Sequence, residues 1–314
     1  MYKIKQIPED FYVEEVSVLK FDDSGDYSYY TLEKKNYTTS DAILSISGNL
    51  RIKPKFINSA GLKDKRAITR QNISIFKGPK KNLDLTDLNL EFLGSGKSRI
   101  NVGSLEGNFF RIVVRNITAT PNKLSVVPNY FDSQRFGINE NNHLIGRALI
   151  KKDFKEALNY FCENYDVIKH LQKNPNDFIG ALRRVPRREL QFYVSAYQSY
   201  LWNRCVKEYL KLNPSYGEKF SFIGFNMECV DGEKERIVNA LLEEEGISLS
   251  DFVVRQFPEL SADSHERNIF TRLNDLKIYT MDKDDLNPGM YKVTVEFFLK
   301  SGNYATNVIK YMFD

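Results

Sequence analysis

The chain has 314 residues, 42% of them apolar and 27% charged, with a formal net charge of +4. At about 150 residues per domain, this length suggests two domains or one domain carrying an insertion, and a content of 22 Phe and 18 Tyr excludes a disordered or fibrous chain. No run approaches the roughly 20 continuous apolar residues of a bilayer-spanning helix, and the N-terminus leads into Pro8, Glu9 and Asp10 instead of an apolar signal core; a soluble, cytoplasmic protein without a membrane partner is expected.

Taken in chain order, Tyr27 to Lys35 mixes aromatic and β-branched side chains with charge and reads as a strand. Ser40 or Asp41 is the expected cap of a short helix in which Ile43, Ile46 and Leu50 fall at helical spacing. Residues 55–60 read as a strand entering a polar turn, and Gln71 to Phe76 as the strand leaving it. Ser98 to Gly103 and Asn108 to Ile117 extend the strand-rich pattern. After Arg147 the period changes: Phe154, Leu158, Phe161, Tyr165, Ile168 and Leu171 predict one helix, and Leu190, Val194, Tyr197, Leu201 and Cys205 another. Asn213 to Asn287 has Pro and Gly punctuation, an acidic run at Glu243 to Glu245 and no long periodic segment, so it reads as a separate small module. Beyond Pro288, Tyr291, Val293, Val295, Phe297 and Leu299 alternate as the clearest strand of the sequence, and a short helix follows. A strand at the extreme end predicts that the C-terminus returns to the first domain's sheet.

Cys162, Cys205 and Cys229 lie far apart without a CxxC pair, and His143, His170 and His265 are equally scattered, which argues against a zinc centre, a disulfide scaffold or a Ser-His-Asp triad. Gly94-Ser95-Gly96-Lys97-Ser98 imitates a phosphate-binding loop, but Glu91 stands where a Walker A pattern needs Gly and strand-like residues follow, so a turn between strands is expected.

Positive charge is concentrated locally. Lys and Arg crowd the first 70 residues, and Arg183, Arg184, Arg187 and Arg188 form a second cluster, which makes a polyanion a candidate partner. Ala60 to Gln71 is a polar loop that presents one carboxylate, Asp64, among Lys63, Lys65, Arg66 and Arg70. Such neighbours favour the ionised carboxylate and also attract a phosphate backbone; a solvated turn residue is the competing reading. Asn129 to Gly137 sets Phe131 and Phe136 beside Asn129, Gln134 and Arg135 in a non-periodic segment. Aromatic faces stack on unpaired bases, and amides and Arg read base edges or phosphates, whereas a loop anchored into the core by its Phe residues is equally consistent with the pattern. Together the two segments describe a pocket for an extruded base.

Seven blocks fall in order along the chain: Lys5 to Glu15, Lys35-Asn36 with Thr38 or Thr39, Ala60 to Gln71, Gly103 to Phe110, Val127 to Gly137, Ser195 to Asn203, and Ser301 to Thr306. On these blocks the sequence resembles the TruD family of pseudouridine synthases, with Ala60 to Gln71 similar to the family's catalytic loop at every fixed position. Departures are Lys300, where the family usually has Pro, and the short segment between Asn203 and Pro288. The resemblance implies an α/β (α+β) fold: a mixed, largely antiparallel sheet flanked by helices, formed by residues 1–203 and 288–314, with 204–287 as an inserted TruD-type module. It implies isomerisation of uridine to pseudouridine in tRNA, most often at uridine 13, with Asp64 as the one catalytic carboxylate, acting either as nucleophile or as a base on a ribose proton. No cofactor and no metal are implied. By the same resemblance the substrate- and RNA-binding positions are Lys5, beside Asp64; Lys63 and Lys65; Phe131, for stacking; Asn129, for a polar contact to the base; and Gln134 and Arg135, supporting the pocket. tRNA, with other RNA as a further substrate, is the expected partner of an expected monomer. A non-catalytic RNA-binding or RNA-folding protein on the same scaffold is the alternative.

Overall fold

Side chains that alternate between core and solvent along successive segments produce a ten-stranded sheet. In chain order its strands are β1 (Phe11–Val16), β2 (Tyr27–Lys35), β3 (Ile57–Ser59), β4 (Ile68–Phe76), β5 (Leu83–Leu85), β6 (Leu88–Gly96), β7 (Gly107–Ile117), β8 (Asn274–Ile278), β9 (Asp282–Lys283) and β10 (Tyr291–Lys300). In this computed structural model, which describes residues 1–228 and 232–313, the strand path is β8-β10-β7-β1-β4-β2-β6-β5, with β9 on β10 and β3 on β4. Cys229 lies outside the described residues; Cys162 is exposed and Cys205 is buried. Strands β1 and β4 pair in parallel, and the other pairs are antiparallel. Val293, Val295, Phe297 and Leu299 of β10 are buried, and the strand pairs with β7 with Val295 opposite Ile112, so the end of the chain does return to the sheet built by its beginning. The C-terminal helix Ala305–Phe313 adds Val308, Ile309 and Met312 to the same core.

Helix α1 (Thr39–Leu50) buries Ala42 and Ile46 in a core shared with Leu32, Ile73 and Leu90. Its cap is Thr38, two or three positions before the residues expected: the Thr38 Oγ1 accepts from the Asp41 N–H at 3.0 Å, and Asp41 sits in the first turn, where its charge suits the helix dipole. Residues 98–103 are not a strand. Ile100 N–H donates to the Ser74 Oγ, Ser104 N–H donates to the Asn101 carbonyl and Gly103 takes a φ of 85°, so turn bonding replaces a ladder. The imitation of a phosphate loop is the end of β6 itself; a Cβ at Gly96 would lie 2.3 Å from the Tyr29 ring, so the glycine is there to let that ring approach.

Two compact units emerge, Met1–Val127 with Arg272–Asp314, and Pro128–Thr271. The second holds α2 (Ser133–Phe136), α3 (Asn142–Ile150), α4 (Phe154–Leu158), α5 (Tyr165–Lys173), α6 (Phe178–Leu182), α7 (Arg187–Tyr209) and α8 (Gly232–Glu245), with Lys219–Ser221 paired to Glu266–Asn268. The helix expected across 154–171 is broken into α4, a 3-10 turn at Asn159–Phe161, and α5, because the Asn164 side chain accepts from the Asp166 and Val167 N–H groups and starts a new helix. Helix α7 buries Leu190, Val194, Tyr197, Leu201 and Cys205 as their spacing requires. It continues unbroken through residue 204 into a core shared with Val238 and Leu241 of α8, and packing divides the chain at 127/128 and 271/272. Within the stretch expected to lack a long periodic segment, α8 runs for 14 residues. Its acidic end opposes the helix dipole, and Arg204 offsets this by reaching Glu244 at 2.6 Å and Glu245 at 3.2 Å. Among the described residues no helix is long and apolar enough to cross a membrane.

Candidate active site

The segment from Ala60 to Ala67 joins β3 to β4 without regular structure, and side chains of neighbouring elements hold its backbone. Thr39, in the first turn of α1, accepts from the Lys63 N–H at 2.9 Å and donates to the Gln71 Oε1 at 3.0 Å. The Gln71 Nε2 donates in turn to the Gly61 carbonyl at 3.3 Å. Lys34, on β2 and only 1% exposed, sends its ammonium to the Tyr37 carbonyl (2.7 Å) and to the carbonyl of Asp64 itself (2.9 Å). Burial lowers the Lys34 pKa to about 8, with the charge of Asp64 opposing that shift and Lys63 adding to it. The loop is therefore pre-set by buried groups before any ligand arrives.

The Asp64 side chain is 34% exposed, and its Oδ2 lies 3.2 Å from the Lys5 Nζ. Lys5 takes a left-handed φ of 56°, and its ammonium sits 4.1 Å from the centre of the Phe11 ring. One acidic residue of the N-terminal block is structural: Asp10 is fully buried and accepts from the Arg115 Nε at 2.7 Å.

Lys63, expected as an RNA contact, is turned toward the protein. Its ammonium points inward, to the Asn108 Oδ1 at 2.6 Å and to Glu15 at 3.2 Å, and its side chain is 8% exposed. Burial pushes the Glu15 pKa up, and Lys63 pulls against that shift. Lys65 and Arg66, by contrast, are exposed.

Asn129, Phe131, Gln134 and Arg135 all belong to the second unit. Asn129, expected to contact a base, is buried, its Oδ1 accepting from the Arg267 Nη2 at 2.7 Å and its Nδ2 donating to the Asn268 carbonyl at 3.1 Å, which ties it to the strand Glu266–Asn268. Phe131 is clamped by Asn203, which accepts from its N–H at 2.9 Å and donates to its carbonyl at 2.8 Å. Its ring meets Trp202 and Phe222 edge-on, and the Arg267 guanidinium lies 4.2 Å from its centre. Arg135 donates to the hydroxyls of Ser195 and Ser199, and Gln134 is exposed on α2. Phe131, Arg135, His265 and Arg267 line a cavity of about 260 Å³.

The sequence model of the family described as tRNA pseudouridine synthase D (TruD) matches residues 2–167, 160–220 and 219–312. The chain belongs to the TruD family. It is 30% identical to a Methanococcus maripaludis protein named as a probable tRNA pseudouridine synthase D, over 99% of each chain, and 32% identical to a Methanocaldococcus jannaschii relative so named, over 99% of this chain and 91% of that one. A TruD crystal structure from Methanosarcina mazei superposes with a TM-score of 0.76 at 27% identity, covering 99% of this chain and 93% of that one. The alignment to the Methanococcus maripaludis protein runs over 389 positions against 314 residues here, so that relative carries segments this chain lacks.

Around the loop from Ala60 to Ala67, Lys34, Glu15 and Asn108 are neighbours that residue type alone did not single out. Glu15 and Asn108 sit inside two of the family blocks, which was the available signal. Lys34 stands in the charged run Glu33-Lys34-Lys35, where nothing local distinguishes a buried lysine from a solvated one. Among the described residues no cluster of three or more His, Cys, Asp or Glu is arranged to hold a metal ion.

Proposed function

We propose that this chain isomerises uridine to pseudouridine at position 13 of tRNA, with Asp64 as its single catalytic carboxylate. Family membership carries the coarser statement, a tRNA pseudouridine synthase and hence an isomerase. The observation that supports Asp64 is its setting: a partly exposed carboxylate paired with Lys5 at 3.2 Å, on a backbone anchored by the buried Lys34 ammonium.

In the reaction the N1–C1′ bond breaks, the ring turns, and C5 bonds to C1′; the C5 hydrogen is lost as a proton and N1 is protonated. Asp64 supplies the carboxylate this requires, as nucleophile at C1′ or as base toward a ribose C–H. Both roles use the ionised form, and the Lys5 ammonium favours it. Lys65 supplies positive charge toward RNA phosphates, Lys63 holds the loop from beneath, and Phe131, Gln134 and Arg135 are RNA-facing residues of the second unit. Asn129 we assign to fixing that segment, because both ends of its amide are engaged. As a functional division, residues 204–287 serve as the TruD-type module and 1–203 with 288–314 as the catalytic domain, a reading supported by the family blocks on either side.

The test is the full-length Asp64→Asn variant on tRNA carrying C5-tritiated uridine. Wild-type protein is expected to release tritium and form pseudouridine at position 13, and the variant to bind tRNA yet release none. Release by the variant at the wild-type rate refutes the assignment. A wild-type protein that binds tRNA and leaves every uridine unchanged would instead establish the non-catalytic reading.

A further inference from the structure

Away from the Asp64 loop, the second unit carries a cleft of about 570 Å³ whose lining includes Lys169, His170, Lys173, Arg183, Arg184 and Asp166. Its construction follows from local sequence. Lys169 and Lys173 are four residues apart on α5, and so share a face, while Arg183 and Arg184 follow the last turn of α6. Between the helices, Asp177 caps α6 by accepting from the Gly180 N–H at 2.8 Å.

Beneath the cations lies a chain of oriented groups. The His170 side chain is 11% exposed, and its Nε2 is 2.9 Å from the Asp177 Oδ2. The Arg184 Nη2 lies 3.4 Å from the other ring nitrogen, Nδ1. A guanidinium only donates, so in this arrangement Nδ1 is the ring atom that accepts from Arg184 and Nε2 is the one turned to Asp177. Asp177 thus orients His170, and His170 aims Arg184. Gly180 leaves the space this needs, since a Cβ there would fall 2.0 Å from the Asp177 Oδ2 and 2.7 Å from the His170 Nε2.

We propose that this cleft binds phosphates of an RNA backbone, with Arg184 as the oriented contact and His170 as its positioning residue. The chemistry favours RNA over an acidic protein segment. Four cations outnumber the two carboxylates there, Asp166 and the His170-bonded Asp177, in a concave surface, which suits successive phosphates. Tyr165, 70% exposed and one turn before Lys169, adds an aromatic face for an unpaired base. The assignment rests on RNA as the substrate class of the proposed function.

The experiment uses the full chain and tRNA, with affinity measured across a salt series and single-turnover pseudouridine formation measured at saturating tRNA. Arg184→Ala and Lys173→Glu are both exposed changes. Each is expected to weaken tRNA binding about tenfold at low salt, as loss of a charge-assisted contact does, and to lower the slope of log affinity against log salt by about one. His170→Ala should weaken binding in the wild-type background and add nothing in the Arg184→Ala background. Wild-type affinity and salt slope in both charge variants would overturn the cleft, and an equal effect of His170→Ala in both backgrounds would overturn the positioning role. If the wild type forms no pseudouridine while the charge variants still lose affinity, the proposed function falls and the cleft stands; if the wild type isomerises uridine and the variants bind normally, the cleft alone falls.

Discussion

Two lysines whose type places them in solvent, Lys34 and Lys63, are turned inward beneath the segment that presents Asp64. Replacing Lys34 with Met removes the donor to the Asp64 carbonyl and should lower turnover about a hundredfold, the scale of a small misplacement of a reacting group, with little change in KM; tritium release under single and multiple turnover separates the two. The pH dependence follows from burial. Because Lys34 loses its proton near pH 8 when folded and near 10.5 when exposed, the unfolded chain binds more protons between those values, and this group adds stability as pH rises through that window. Activity should move the other way, since the neutral amine has fewer hydrogens for the carbonyls it holds: the rate is expected to decline above about pH 8 in the wild type and to lack that limb in Lys34→Met. Lys63 and Lys65 flank Asp64 symmetrically in sequence, and in a loop without periodicity nothing local tells which one faces Glu15 and Asn108 and which faces water.

The elements that grip this loop are the first turn of α1 and strands β2 and β4. Thr39→Val leaves the Lys63 N–H and the Gln71 Oε1 without their shared hydroxyl in a buried setting, an expected loss of about 1–3 kcal/mol. Thermal unfolding should show it together with reduced turnover. Thr38→Ala removes only the helix cap, costs about 1 kcal/mol, and should leave the rate nearly intact, because Thr38 makes its bond to Asp41 and not to the loop. Strands were the most legible elements: Tyr27–Lys35 has the bounds its composition suggested, and β10 follows its alternation. Helices were less so. The apolar spacing from Phe154 to Leu171 continues across a point where Asn164 offers the backbone a competing partner, and period alone does not register that competition.

Across the first unit, one buried ion cluster ties distant segments together. Arg115 on β7 donates to Asp10, just before β1, and to Asp284 and Asp285, just after β9. Arg115→Met would strand buried carboxylates, with an expected cost of about 3–5 kcal/mol measurable by denaturant unfolding. Burial alone would raise the Asp284 pKa, yet N–H groups of Leu286 and Asn116, with Asn287 and Arg115, hold it at about 2, below its ordinary 3.8. The stability this provides is complete above pH 3.8 and is lost as pH falls toward 2. Acid unfolding of Asp284→Asn should lack that component, and an identical acid profile in the two proteins would remove Asp284 from the account.

The order of the family blocks, the alternating strands and a charged loop between two of them are local properties, and residue type and spacing determined them before any folding was considered. Which charges meet is decided otherwise. Lys63 finds Asn108 across 45 residues and Arg115 finds Asp284 across 169, and α7 carries one core past the point where composition changes. Partner choice among like side chains depends on which segments the sheet and helices bring within a few ångströms, and burial then decides whether a lysine serves as a fixed support or stays in water.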